Sequence, residues 1–158
     1  MATTISHSPA DTAALGEQWG RAAQSGLVIG LSGDLGAGKT QFVKGLACGL
    51  GISARVQSPS YVLVNIYTGG RLTLFHLDLY RLDTPEQVTA AGLEEYLRPE
   101  GVTVIEWAER WFGEGSRRKA EGRIQNTEPA SQVLWLRWVQ IEALSETERR
   151  ITYENPGA

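Results

Sequence analysis

The feature that most constrains the fold of this chain is a glycine-rich segment, residues 33–40, which reads GDLGAGKT. It follows the apolar run at residues 27–31 and precedes apolar residues at helical spacing, among them Phe42 and Leu46. The segment matches the pattern G-x-x-x-x-G-K-[ST], which requires a strand before it and a helix after it. The sequence therefore predicts a buried strand, a phosphate-binding loop (P-loop) and a helix, in that order.

Each part of this segment has a physical role in holding phosphate. The glycines Gly33, Gly36 and Gly38 let backbone N–H groups turn inward around a phosphate at the positive end of the helix dipole. Lys39 supplies a point charge for the β- and γ-phosphates, and Thr40 offers a hydroxyl to Mg²⁺. We therefore predict nucleotide binding.

Two carboxylates have the placement that a P-loop magnesium site needs, at the ends of predicted strands. Glu106 ends the apolar run at residues 102–105, and Asp78 ends the polar side of the strand at residues 71–80. One carboxylate would hold Mg²⁺ or its water, and the other would orient an attacking water. The alternatives are a solvated strand end for Glu106 and, for Asp78, a salt bridge to Arg81 or to a neighbouring cation.

The other predicted elements follow from caps and periodicity. Helices are predicted to begin at the capping residues Ser8 and Thr84, each followed by proline. Residues 61–67 and 71–80 favour a β-hairpin whose second strand places His76 and Asp78 on one face. A short helical turn is predicted at residues 93–97, and strands at 133–144 and 149–153. Because residues 113–132 are polar and lack apolar periodicity, they favour a long loop.

Several residues leave two interpretations open. Residues 58–61 (SPSY) form either a turn or a loop that brings a hydroxyl to the nucleotide, and His76 is either a structural hydrogen-bonder or a base. Trp107 and Trp111 either pack in the core or contact a nucleotide or partner. A basic cluster in the polar loop is either solvated or contacts RNA, a partner or the nucleotide; it comprises Arg117, Arg118, Lys119 and Arg123.

Composition and length limit the classes of protein. A chain of 158 residues without internal repeats or linkers predicts one domain, residues 1–158. Its net charge of −3 argues against a stand-alone nucleic-acid binder. The single cysteine, Cys48, predicts a reducing compartment and a buried, unreactive side chain. Because neither a secretory signal nor a membrane-spanning apolar run is evident, we expect a cytoplasmic protein that does not bind membranes.

Five segments occur in an order that resembles the TsaE (YjeE) family, the P-loop ATPases of bacterial tRNA threonylcarbamoyladenosine synthesis. They are GDLGAGKT, SPSY, HLDLYRL, GLEEYL and VIEW, and the resemblance extends over residues 15–107. It implies an α/β, single-domain P-loop NTPase fold with a mixed β-sheet, a central hairpin and flanking helices. It further implies an Mg²⁺-dependent ATPase, slow alone, that acts with TsaB and TsaD and reaches tRNA only through that assembly. The threonylcarbamoyl transfer itself would belong to TsaD.

The resemblance also implies roles for particular residues. ATP phosphates would be bound by residues 36–41, with the first glycine of the motif completing the set: Gly33, Gly36, Ala37, Gly38, Lys39, Thr40 and Gln41. Metal would be held by Thr40 and Glu106 together with Asp78, and catalysis would involve Asp78, Glu106 and Ser60. Ser60 stands where the family usually has threonine, so the hydroxyl is kept without its methyl. Further nucleotide contacts are expected near Ser8 or Pro9 and near Glu148 or Arg149.

Two other functions are compatible with a short P-loop protein. A small-molecule kinase would need arginines that close over the phosphates, a role open to Arg117, Arg118 and Arg123. A nucleotide-dependent switch would bind ATP and change its affinity for partners without hydrolysis. Phosphoryl transfer to a metabolite would identify the kinase, and binding without turnover would identify the switch.

Overall fold

A mixed β-sheet forms the centre of the computed structural model, which describes residues 2–113 and 135–153. Within these residues the sheet has seven strands in the order β1-β7-β6-β2-β5-β4-β3. The strand predicted from the apolar run at residues 27–31 is β2, and it pairs in parallel with both β5 and β6. Strand β4 pairs in parallel with β5. The bounds are β1 Ala2–Ser6, β2 Leu27–Ser32, β3 Val64–Tyr67, β4 Leu74–Asp78, β5 Val102–Glu106, β6 Trp135–Ala143 and β7 Arg149–Tyr153. The predicted α/β fold with a mixed sheet is confirmed.

Two of the helices begin where the capping residues Ser8 and Thr84 predict. The Ser8 hydroxyl accepts the Asp11 N–H, and the Thr84 hydroxyl accepts the Gln87 N–H. Such side-chain acceptors satisfy N–H groups that have no partner inside the helix. The bounds are α1 Pro9–Ala22, α2 Lys39–Gly49, α3 Pro85–Ala90 and α4 Glu109–Phe112, with a 3₁₀ helix at Leu93–Leu97.

The hairpin is central in the chain but lies at an edge of the sheet. Its strands pair from Val64 with Leu77 to Tyr67 with Leu74, so both are shorter than the periodicity predicts. Leu63 has a φ of 71°, a left-handed conformation that ends extended pairing before Val64. The inner strand, β4, joins the hairpin to β5, and this pairing brings the end of β4 beside the end of β5.

Two short elements were not predicted from the sequence. Strand β1 pairs antiparallel with β7, and helix α4 follows β5 after one turn. Both are too short for periodicity to be recognised, since β1 has five residues and α4 has four. The terminal strands β6 and β7 confirm the prediction within their described bounds. The predicted polar loop lies outside the described residues from position 114 to 132.

Hydrophobic clusters cover both faces of the sheet. On one face, helices α1 and α2 bury Trp19, Phe42 and Leu46. On the other face, Leu97 and Trp111 pack with residues of α3, the 3₁₀ helix and α4. The sheet is therefore covered by helices on both sides, which leaves the carboxyl ends of its parallel strands as the place for a site.

Glycines allow the backbones of α1 and α2 to approach closely. A Cβ atom at Gly45 would lie 1.8 Å from the carbonyl oxygen of Ala13, and one at Gly49 would lie 2.2 Å from that of Glu17. Backbone atoms cannot move aside as the end of a side chain can. Close packing of α2 against α1 therefore depends on these glycines, and it fixes where the P-loop helix begins.

We expect Gly45→Ala to lower the free energy of unfolding by about 1–3 kcal/mol, the usual cost of overpacking a tight contact. Urea unfolding would measure the change. Lys44→Ala is the matched control, since Lys44 is the exposed neighbour on the same helix. Equal stability of the two variants would contradict the packing described for α1 and α2.

The prediction that Cys48 is buried is wrong. The side chain is exposed, and its Sγ lies 3.6 Å from Oε1 of Glu17. Cys48 follows the exposed Lys44 by four residues, which places both on the same face of α2. The apolar neighbours of Cys48 in sequence belong to the opposite, buried face.

Candidate functional site

The P-loop connects β2 to α2 and has the backbone conformation that its glycines permit. Gly36 and Gly38 have φ values of 79° and 108°, in the left-handed region that favours glycine. Helix α2 begins immediately afterwards at Lys39. The loop therefore delivers the N–H groups of the first helical turn to the carboxyl end of the central strand, where an anion would bind.

Lys39 is held inside this loop. Its Nζ donates to the carbonyl oxygens of Gly33 at 2.5 Å and Asp34 at 2.9 Å, and it lies 4.1 Å from the centre of the Trp107 ring. Burial lowers the pKa of Lys39 below its usual range, and nearby carboxylates, Glu106 foremost, oppose that effect. The ammonium group is thus pre-positioned beside the loop without a direct carboxylate partner among the described residues.

Thr40 and Glu106 meet across the site. The Thr40 hydroxyl donates toward Oε1 and Oε2 of Glu106 at 3.1 and 3.2 Å. Glu106 is 3% exposed and lies at the end of β5. Its Oε2 is also 2.6 Å from Nε2 of His76, a fully buried residue of β4. A solvated strand end, the alternative considered for Glu106, does not describe this carboxylate.

Asp78 lies beside Glu106 because β4 and β5 are parallel and in register at this pair. Its Oδ2 accepts hydrogen bonds from the hydroxyls of Ser58 and Ser60, and its Oδ1 accepts the Tyr80 N–H at 2.9 Å. The alternative of a salt bridge to Arg81 is not what the structure has. The Arg81 guanidinium instead lies over the ring of Tyr61, 3.9 Å from its centre.

The loop that precedes the hairpin is therefore held in place by the hydrogen bonds from Ser58 and Ser60 to Asp78. We expect Asp78→Ala to release it, because each hydrogen bond to a carboxylate contributes about 1.5–3 kcal/mol. Amide hydrogen exchange in residues 58–63 should become at least about tenfold faster, since one such bond already exceeds the 1.4 kcal/mol that corresponds to tenfold. Asp83→Ala, at an exposed position nearby, is the control. Unchanged protection in the Asp78 variant would contradict the contact.

The two tryptophans that follow β5 have different surroundings. Trp111 is 1% exposed and packs in the core, as one interpretation predicted. Trp107 has a φ of 60°, lies over Lys39 and stacks obliquely on Tyr80, with ring centres 5.1 Å apart. Its ring forms part of the site wall.

A cavity of about 520 Å³ connects these groups. It brings together predicted site residues from the P-loop, the SPSY loop, β4 and β5: Gly36, Ala37, Gly38, Lys39, Thr40, Gln41, Ser60, Asp78 and Glu106. Gly33 stands behind the loop, where its carbonyl holds Lys39. Ser58 also lines the cavity and belongs to the SPSY loop, for which a hydroxyl near the nucleotide was one of the two interpretations. Sequence reasoning missed other lining residues, namely Thr12, Leu35, Tyr80, Glu146 and Thr147.

Segments from both ends of the described chain contribute to the cavity, the residues after β1 and the first residue of β7. Ser8 and Pro9, for which nucleotide contacts stay a prediction, line it. Arg149 lines it too and donates to the carbonyl oxygens of Ala37 at 3.0 Å and Gly36 at 3.3 Å. Glu148 instead lies 3.2 Å from Nδ1 of His7. Arg149 therefore braces the P-loop from the β6–β7 turn.

The donor set suits Mg²⁺ bound together with a nucleotide. Thr40 and Glu106 offer hard oxygen donors within hydrogen-bond distance of one another, and Asp78 lies on the adjacent strand. In residues 2–113 and 135–153, no group of three or more His, Cys, Asp or Glu could hold a metal ion without other ligands. Mg²⁺ usually binds through one or two carboxylates plus substrate phosphates, so this arrangement fits it.

Two further sequence predictions concern regions beyond the site. The basic cluster Arg117, Arg118, Lys119 and Arg123 lies outside the described residues. Within the described part of the chain, no helix is both long enough and apolar enough to cross a membrane.

Comparisons with known proteins agree with this geometry. A model of the family described as "Threonylcarbamoyl adenosine biosynthesis protein TsaE" matches residues 6–134. A TsaE protein of Treponema pallidum is 49% identical over 106 residues, which are 67% of this chain and 78% of that protein. One from Bacillus subtilis is 43% identical over 100 residues, 63% of this chain and 62% of that protein.

A solved structure is similar over nearly the whole chain. The crystal structure of YdiB from Bacillus subtilis superposes with a TM-score of 0.70 at 30% sequence identity. The match covers 96% of this chain and 83% of YdiB. Together with the family match and the P-loop site, these similarities show that the chain belongs to the TsaE family of threonylcarbamoyl adenosine biosynthesis proteins and has its P-loop NTPase fold.

Proposed function

We propose that this chain is an Mg²⁺-dependent ATPase subunit required for N6-threonylcarbamoyladenosine modification of tRNA. It would act in the cytoplasm as one domain, together with TsaB and TsaD, and would not transfer the threonylcarbamoyl group itself. The observation that carries this proposal is the convergence of Lys39, Thr40, Glu106 and Asp78 on one cavity at the P-loop. The family membership supports the role in tRNA modification.

The binding step uses the loop and the start of α2. Phosphates would lie against the N–H groups of residues 36–41, with the Lys39 ammonium moving from the loop carbonyls to the β- and γ-phosphate oxygens. Thr40 and Glu106 would hold Mg²⁺, with Asp78 beside them. Bound Mg²⁺ supplies positive charge that offsets the negative charge developing on the transferred phosphoryl group.

The chemical step would be in-line attack of water on the γ-phosphate. Because Glu106 would be engaged in holding Mg²⁺, Asp78 is the better placed carboxylate to orient that water, since among the described residues a single hydrogen bond, from the Tyr80 N–H, reaches its Oδ1. Ser58 and Ser60 hold Asp78 through its other oxygen. In this arrangement the Ser60 hydroxyl acts through Asp78, and a shift of the SPSY loop would move the water-orienting group.

ATP turnover by the purified chain, alone and with TsaB, TsaD and tRNA, tests this proposal. We expect slow turnover alone that rises when the partners are added. Turnover indifferent to the partners would contradict the proposal, and phosphorylation of a metabolite would identify a kinase. Nucleotide-dependent association with the partners without turnover would identify a switch.

A further inference from the structure

His76 is a buried polar residue that the proposed chemistry does not use. Its side chain is 0% exposed and lies on β4, two residues before Asp78 and on the same side of the strand. Its Nε2 is 2.6 Å from Oε2 of Glu106, a carboxylate that is itself buried. Most buried polar side-chain atoms have a hydrogen-bond partner, and the partner of His76 Nε2 is the Glu106 carboxylate.

The hydrogen-bond pattern indicates which ring nitrogen carries the proton. A carboxylate only accepts hydrogen bonds, so Nε2 must be the donor in the contact with Glu106. Nδ1 has no hydrogen-bond partner among the described residues. Among the described residues, Glu106 is therefore the group that orients the ring through a hydrogen bond, and the Tyr67 ring lies 6.5 Å away on its flank.

Glu106 receives hydrogen bonds from two directions. Thr40 reaches it from the P-loop helix, and His76 reaches it from inside the sheet. When Thr40 turns to Mg²⁺, the bond from His76 would continue to hold the carboxylate. A rigid strand supplies that bond, so the carboxylate would keep its orientation through the nucleotide cycle.

We propose that His76 is a positioning residue, which orients the Glu106 carboxylate toward Mg²⁺ by donating a hydrogen bond from Nε2. This inference rests on the proposed function, in which Glu106 helps to hold Mg²⁺. Hydrogen-bond partners of metal-binding carboxylates typically contribute about 10- to 100-fold to metal affinity or activity. A buried histidine that only fills space would leave that affinity unchanged.

The test compares His76→Gln with His76→Leu. A glutamine amide can place an N–H about where Nε2 lies, whereas leucine fills the space without a donor. Binding of a fluorescent ATP analogue would be titrated with Mg²⁺, and binding in EDTA would give the magnesium-free baseline. We expect leucine to raise the Mg²⁺ concentration for half-saturation about 10- to 100-fold, and glutamine to restore most of the loss.

His76→Asn provides a second variant without a donor at the position of Nε2, for use if the leucine variant does not fold. Asparagine is polar but one bond too short to reach Glu106 in place of Nε2, so it should behave as leucine does. Thermal unfolding and nucleotide binding in EDTA would establish that each variant is folded. The inference is overturned if folded leucine or asparagine variants need no more Mg²⁺ than the unsubstituted chain. If nucleotide binding by the unsubstituted chain does not depend on Mg²⁺, the proposed function fails instead.

Discussion

Lys39→Ala is expected to weaken ATP binding by roughly 30- to 150-fold, which corresponds to the loss of about 2–3 kcal/mol from charge-assisted hydrogen bonds. Lys39 is 5% exposed, and its ammonium group lies between two loop carbonyls and the face of Trp107. Folding has therefore already ordered the Lys39 ammonium group and removed part of its hydration, so these costs do not recur when ATP phosphates bind. Isothermal titration with ATP and Mg²⁺ would measure the loss.

Lys44→Ala is the matched control for this prediction. Lys44 lies on the same helix, one turn later, but its side chain is exposed and faces away from the cavity. Removing it changes the net charge by the same amount without touching the loop. Equal affinities for ATP in the two variants would contradict the role given to Lys39.

Glu106→Gln is expected to reduce ATP turnover by about 10²- to 10³-fold, the range seen when one electrostatic contact to a transition state is removed. Glutamine keeps the shape of the side chain but lacks the negative charge that Mg²⁺ needs. Binding of ATP in EDTA should persist, because Lys39 and the loop N–H groups are unchanged. Steady-state turnover in the partner-containing assembly and nucleotide binding with and without Mg²⁺ would measure the two effects.

Glu100→Gln is the control, since Glu100 is exposed and precedes the same strand. If the Glu106 and Glu100 variants turned over ATP at the same rate, the role given to Glu106 would be contradicted. If the Glu106 variant also lost ATP binding in EDTA, that would contradict the assignment of ATP binding to Lys39 and the loop N–H groups and of hydrolysis to Glu106.

Local signals in the sequence predicted the central part of the site. The strand, loop and helix around Lys39 are contiguous, so the glycine-rich pattern and the spacing of the apolar residues on either side of it were sufficient. Glu106 and Asp78 could be recognised because each ends a strand. These predictions depend on short-range chain geometry, which a sequence shows directly.

Other parts of the site depend on pairings between distant strands. Thr12 and Thr147 reach the cavity because α1 follows β1, and β1 pairs with β7 at the far edge of the sheet. No spacing in the sequence encodes that pairing. The contact of His76 with Glu106, 30 residues apart, likewise requires the parallel register of β4 and β5. Periodicity identified the face of His76 but not its partner.

The proposed function requires that the γ-phosphoryl group of ATP passes to water at this site. The most direct measurement is ATP turnover by the chain with TsaB, TsaD and tRNA in ¹⁸O-labelled water, with the products analysed by mass spectrometry. We expect inorganic phosphate that carries oxygen from the solvent, in an amount equal to the ADP formed. ADP without a matching amount of labelled phosphate would contradict the proposed function, because the phosphoryl group would then have gone to another acceptor.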